Sequence, residues 1–437
     1  MNPRTLLLLA ATVLAALLFW PVFGSSGHER TGGPTPAPVM PDYLYRDKTI
    51  AFYEMRVRRD PQDQISARML AGQYMQRYRE SSDIDDIKRA LVQARRSIAL
   101  QPANSSSSYE VAASGETALH LFAKALADER YAHADRSDDM NAVAQIASLD
   151  MELGRYDAAR AIIRPAAQQH PADAGLLAVL ARYEEMTGHL KDARAYLSRA
   201  AAITDSVMDN PAQARAWFHF RAGEMAFSAG AVDAAKNDER TALTIFPRFA
   251  PAFNALARFC WATQDWGCAL ENAEKGAAIV PLPETLGYEA DAQRALGDVQ
   301  GATRTVALIG AIERIGNAYH VSDRLLAVYY TEHNVRLPDA LKMARREVDV
   351  RGGEVYAQDT LAWAAAKNAR WQEARIAMDG ALRYGTEDPR LFYHAGVIAE
   401  HLGQRTRARA DFARALALNP HFHPTYADDA RTRLSSL

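Results

Sequence analysis

The chain has 437 residues, 49% hydrophobic and 24% charged, a composition of folded protein rather than of a disordered tail. Its 51 basic and 53 acidic side chains leave a formal net charge of −2, which excludes the basic excess of a general nucleic-acid binder. Two cysteines, Cys260 and Cys268, are too few for a disulfide framework or a thiolate zinc site.

Met1–Arg4 is short and positive, and Thr5–Phe23 is an apolar run broken only by Pro21. A charged start, an apolar core and then small residues make residues 1–24 a secretory signal. At roughly 19 residues the run is also long enough to span a bilayer if it stays uncleaved. Both readings keep Arg4 cytoplasmic and export everything after Gly24, so the expected location is the periplasm or the outer face of an anchoring membrane. No cysteine follows the run, which excludes a lipoprotein anchor. Residues 25–41, rich in Gly, Ser, Thr and Pro, read as a flexible linker.

Residues 42–62 read as an N-terminal helix stopped by Asp60-Pro61, with Ile50, Tyr53 and Val57 on one face. From 63 to 423 a single period dominates. One alanine recurs at Ala90, Ala125, Ala159, Ala193, Ala235, Ala269, Ala302, Ala340, Ala374 and Ala408, at spacings of 35, 34, 34, 42, 34, 33, 38, 34 and 34. Twelve residues before it stands a small residue, in Ala113, Ala147, Ala181, Gly223, Ala257, Ala290, Ala362 and Gly396; among the last nine copies only Val328 breaks that column. Five residues before it comes Gly, in Gly154, Gly188, Gly230, Gly297 and Gly403, and twelve after it Pro, in Pro102, Pro171, Pro247, Pro281 and Pro420.

Two antiparallel helices approach closely only where side chains are small, which explains paired alanine and glycine columns. Gly ends the first helix because it accepts a left-handed backbone, and Pro stops the second. Apolar residues between the columns recur at three- and four-residue intervals, the period of amphipathic helices, and no stretch alternates as a strand does.

These columns resemble the tetratricopeptide-repeat family, whose 34-residue helix–turn–helix units carry small residues, Gly and Pro at these places. The resemblance covers ten repeats, about Gln64 to Phe422, and implies an all-α, right-handed superhelical solenoid. The chain departs from the pattern in a longer first turn (Glu80–Asp86), about eight extra residues at Met208–Arg215 and about four at Asn317–His320. Ile309 and Glu347 replace the usual small residue of the second helix, so looser stacking is expected near residues 309–350. Residues 424–437 read as the helix that caps the last repeat.

Little sequence is left over for catalysis. There is no phosphate loop, HExxH or nucleophile elbow, so neither an enzyme nor a cofactor is expected. His394, His401, His421 and His423 are the nearest histidine grouping, and solvated or packed rings are the expected state rather than a metal site. Asp138-Asp139 and Asp428-Asp429 sit where carboxylates serve helix starts. Cys260 and Cys268 flank one intra-repeat turn; in an exported chain they suit a disulfide, and equally two small buried thiols.

In the family, particular positions of the first helix line the concave face. Carried over, they place Trp217, Phe220, Arg221, Arg258, Trp261 and Tyr288 there from repeats five to seven. Repeats seven to ten add Arg294, Tyr329, Tyr356, Trp363, Tyr393 and His394, with His333 and His401 beside them. Aromatics and Arg dominate binding hot spots, so these are the expected partner-binding residues, exposed in the groove. Trp266 and Trp371 fall on second helices and read as structural. The expectation is a protein-binding scaffold or adaptor of the cell envelope, assisting assembly of an envelope complex, with a glycan-binding groove as the alternative.

Overall fold

The computed structural model describes residues 41–207, 210–316 and 323–437, and all its regular elements are helices. The proposed signal or anchor at 1–24 and linker at 25–41 lie outside those residues, Pro41 excepted. A short 3-10 turn, Asp42–Tyr45, leads into the helix Arg46–Arg59, which buries Ile50 and Val57 against the first repeat. No helix among the described residues is long and apolar enough to cross a membrane.

Ten helix–turn–helix repeats follow, each with a first helix, A, and a second, B. They run from Gln64–Ser81 with Ile84–Leu100 in repeat one to Pro389–His401 with Arg405–Leu418 in repeat ten. The fold is thus the all-α superhelical solenoid that the resemblance implies. Every alanine of the recurring column is at most 1% exposed, so the A–B seam is closed by contact between small groups. Where the facing residue is Gly, a larger group fills its place. An added Cβ on Gly396 would stand 2.7 Å from Phe412, and one on Gly223 would stand 2.4 Å from Glu239 Oε1.

Helices beside the extra residues are long, while residues 208–209 of the first insertion and 317–320, the whole of the second, lie outside the described residues. Leu190–Ser206 and Ala212–Ser228 each span 17 residues and Val299–Gly316 spans 18, against 13 or 14 for most of their counterparts. The Val328 exception has a different cause. The turn of repeat eight has two left-handed residues, Asn334 and Arg336, where the other turns of repeats two to ten have one. This extra turn residue moves the small column back by one, and Ala327, fully buried, takes the place assigned to Val328.

Successive turns of the superhelix touch. Arg351 pairs with Glu152, the Tyr156 hydroxyl accepts from Val355 N, Thr386 Oγ1 donates to Met186 O, and Asn419 Nδ2 donates to Phe227 O. These pairs lie 199, 199, 200 and 192 residues apart. The near-constant separation, about six 34-residue repeats, marks one continuous seam. Glycine serves it directly: a Cβ on Gly154 would come 2.4 Å from the Gly353 backbone, and one on Gly188 would come 2.3 Å from Gly385 O. Gly297 and Gly403 share the left-handed backbone but face open space.

Glu347, expected to loosen the stack, is enclosed at 4% exposure and accepts from Arg351 Nε at 2.5 Å. Arg351 is 1% exposed and sits over the Phe122 ring, 4.3 Å from its centroid. Burial works against its charge, but Glu152 and Glu347 more than offset that and hold it ionised. The large residue in the small column thus supplies one of the two carboxylates that hold the seam arginine. The terminal helix Tyr426–Ser436 follows a seven-residue connection, and Tyr426, Ala427 and Ala430 are its buried residues.

Candidate functional site: the concave channel

Because the turns touch, the concave face holds a cavity of about 250 Å3, lined by A-helix residues of repeats three to ten, the loops that precede them, Arg351 at the end of a B helix and Phe422 beyond repeat ten. Its N-terminal wall is a ladder of ion pairs, each arginine reaching back one repeat. Arg182 pairs with Glu152, Arg221 with Glu185 at 2.5 Å, and Arg258 with Glu224 at 2.7 Å. Burial opposes the charge on Arg221 and Arg258, and the paired carboxylates outweigh it. The wall therefore carries buried but mutually satisfied charge.

The C-terminal wall is built from imidazole–carboxylate pairs and stacked rings. His394 Nδ1 lies 2.8 Å from Asp359 Oδ1, and the His394 ring stacks on Trp363 at 4.2 Å. Its Nε2 is buried without a partner, as is Trp363 Nε1. His423 Nε2 lies 3.1 Å from Glu332 Oε2, while its Nδ1 accepts from Thr425 N and Tyr426 N. That geometry makes His423 a neutral ring donating to an ionised Glu332. Burial lowers the imidazole accordingly; burial would raise the carboxyl, but the His423 bond prevails and holds it at about 2.

Of the expected site residues, Phe220, Arg221, Arg258, Tyr288, Tyr356, Trp363 and His394 line this cavity. Trp217, Trp261, Arg294, Tyr329 and Tyr393 do not. Trp217 packs edge-on against Phe218, and Trp261 Nε1 donates to Asp291 at 3.0 Å. Arg294 is an exposed partner of Asp291, and Tyr393 stacks on Tyr426. Tyr329 instead packs at a tilt against His333, ring centroids 4.3 Å apart, the extra turn residue in repeat eight having shifted the helix by one position. Arg324, Leu325, Val328, Thr331 and Glu332 face the cavity in its place.

The expected exposure of the aromatics is corrected too. Trp217, Trp261, Tyr288, Trp363 and Tyr393 are between 3% and 9% exposed. Trp371, expected to be structural, is only half-buried and stacks on His401 at 3.5 Å. Sequence reasoning missed Glu152, Arg182, Arg351, Glu354 and Arg390, although alternating Arg and Glu at groove positions of successive repeats would have signalled the ladder.

Cys260 and Cys268 are joined as a disulfide across their turn, with Cα atoms 5.7 Å apart. Among the described residues, the one group of side chains close enough to share an ion is Cys260, Asp265 and Cys268, and its two sulfurs are bonded to each other. Asp139 caps a helix by accepting from Asn141 N, whereas Asp429 accepts from Tyr393 Oη at 2.7 Å.

No protein-family model matches the chain, nor does any curated protein. Among solved structures it is similar to the APC/C hetero-tetramer Cut9–Hcn1, at 12% identity over 90% of this chain and 93% of that one, with a TM-score of 0.33. It is also similar to yeast Tom70, at 13% identity over 90% and 93% of the two chains, with a TM-score of 0.34. At these scores neither likeness bears on partner or activity.

Proposed function

We propose that the protein is a non-enzymatic scaffold or adaptor that holds a peptide or protein segment on its concave face. The supporting observation is the channel itself, a cavity assembled from eight successive repeats with aromatic rings and charges of both signs in its wall. Eight carboxylates stand there against six guanidiniums, a balance that selects neither a polyanion nor a polycation and matches the mixed groups of a polypeptide. Glycan recognition needs a ring face open to a sugar, whereas Trp261 and Trp363 are covered by the protein's own rings. The apolar Thr5–Phe23 run supports export, and with it a scaffold of the cell envelope that serves assembly of an envelope complex.

The test is position-specific photo-crosslinking in intact cells, with the reactive residue at Asn254 or Val328 in the cavity and at the exposed Ile376 on a B helix. A partner captured from the cavity positions and not from Ile376 is the expected result. Capture from Ile376 alone would put the binding surface on the convex side and end this reading.

A further inference from the structure

The connection between repeat ten and the terminal helix behaves unlike the other connections of the solenoid. Asn419–Thr425 has no regular structure, yet Asn419, Phe422, His423 and Pro424 are buried, as is Tyr426 beyond it. The segment crosses the concave side and touches four distant repeats. Asn419 reaches Phe227 O in repeat five, and Gln264 Nε2 of repeat six donates to Pro424 O at 2.9 Å. His423 meets Trp261 of repeat six edge-on at 4.5 Å and bonds Glu332 of repeat eight. Tyr426 lies 5.8 Å from Trp363 of repeat nine and stacks on Tyr393 at 4.5 Å.

Trp261, Trp363 and Tyr393 are three of the aromatics that the family register assigns to partner binding. Each is covered in part by this segment: His423 lies edge-on to Trp261, and Tyr426 lies edge-on to Trp363 and stacks on Tyr393, while the Asn419 and His423 side chains and the Pro424 carbonyl make hydrogen bonds beside them. These are the contacts by which a groove holds an extended peptide. The helix that follows has attachments of its own: Arg433 pairs with Glu400, Asp429 accepts from Tyr393 Oη, and Ala427 and Ala430 are buried.

We propose that Asn419–Tyr426 is a built-in occupant of the partner face, displaced by an extended partner segment that carries aromatic side chains and takes its place on Trp261, Glu332, Trp363 and Tyr393. This rests on the scaffold reading above for its natural partner, but the device itself is testable without one.

The probe is a labelled synthetic peptide with the sequence of residues 418–437, offered to the full-length chain and to the His423→Ala/Tyr426→Ala variant. The variant, with its own segment loosened, should bind the peptide at least roughly tenfold more tightly than the unaltered chain. A peptide with Phe422, His423 and Tyr426 replaced by alanine should not compete. A folded variant that binds no better than the unaltered chain overturns the proposal. If the variant loses its helical circular dichroism, hydrogen exchange on the unaltered chain decides. The Thr425 and Tyr426 amides should exchange at least roughly a hundredfold faster than those inside helix Val355–Lys367, and equal rates overturn the proposal. Success here with failure of the crosslinking experiment would reject the partner reading alone, and the reverse would reject the displaceable occupant alone.

Discussion

The contact between superhelical turns can be isolated by two chemically identical substitutions, Gly188→Ala and Gly403→Ala. Both glycines end an A helix in the left-handed region, at φ 78° and 76°. Alanine there costs about 1–2 kcal/mol in either place, because Cβ crowds the following carbonyl. The surroundings differ. At Gly403 the new methyl meets nothing within 4 Å, while at Gly188 it would stand 2.3 Å from Gly385 O. That oxygen belongs to the backbone of the next turn and cannot rotate away as a side-chain end can. Overpacking of this kind costs roughly 1–3 kcal/mol more, or it parts the seam beside the Thr386–Met186 hydrogen bond of 2.6 Å. Gly403→Ala should therefore lose about 1–2 kcal/mol and Gly188→Ala about 2–5 kcal/mol in urea unfolding. Small-angle scattering should show a larger radius of gyration for Gly188→Ala only. Equal losses with unchanged dimensions would mean that the turns do not touch in solution, and the enclosed cavity would go with them.

Trp363→Ala should cost about 3–5 kcal/mol, since the ring is 5% exposed and stacked on His394, whereas half-buried Trp371→Ala should cost clearly less; thermal and urea melts decide. Glu239 is fully buried with both carboxylate oxygens unpartnered, and burial, reinforced by Glu224, holds its carboxyl well above the usual range. Its unfolded form ionises first, so it contributes a destabilisation that grows as pH rises above the ordinary glutamate value toward the folded one. Glu239→Met should remove that slope, so a stability gain that does not increase between pH 5 and 8 would contradict the assignment. A reporter active only outside the cytoplasm, fused after Pro41, should be active; silence there with activity of a cytoplasmic reporter would refute export.

The A–B pairing was legible because it is local. Ala374 and Ala362 face each other twelve residues apart, and eight copies of that relation repeat one signal. The turn of repeat eight shows the limit of such reading. A column with Val328 in it looks like a substitution, although the cause is an inserted turn residue, recognisable only from the left-handed pair Asn334 and Arg336. Because a helix turns by 100° per residue, a one-residue slip moves Tyr329 off the cavity wall and brings Val328 onto it. The disagreement over exposure has a different origin. Family position locates a side chain on the concave face, but whether that face is open depends on the pitch of the whole superhelix.

Pitch is a sum of many small rotations between neighbouring repeats, and no single residue states it. What the sequence does hold is the trace of its consequence. Three of the five column glycines lie against backbone of the next turn, with a Cβ clearance of 3.0 Å or less, while Gly297 and Gly403 have none nearby. His120, Gln264 and Ala369 adopt the same left-handed backbone without glycine, at φ between 57° and 60°, so conformation alone does not require it. Glycine at Gly154, Gly188 and Gly230 thus meets two demands, a left-handed turn and a neighbouring chain at contact distance. The buried Arg351 between Glu152 and Glu347 is the electrostatic counterpart, a charge that only the closed arrangement satisfies. Closure in turn lets a segment as short as Asn419–Tyr426 reach repeats five, six, eight and nine at once. The same touching turns that bury the predicted aromatics thus bring the connection after repeat ten against Trp261, Glu332 and Trp363.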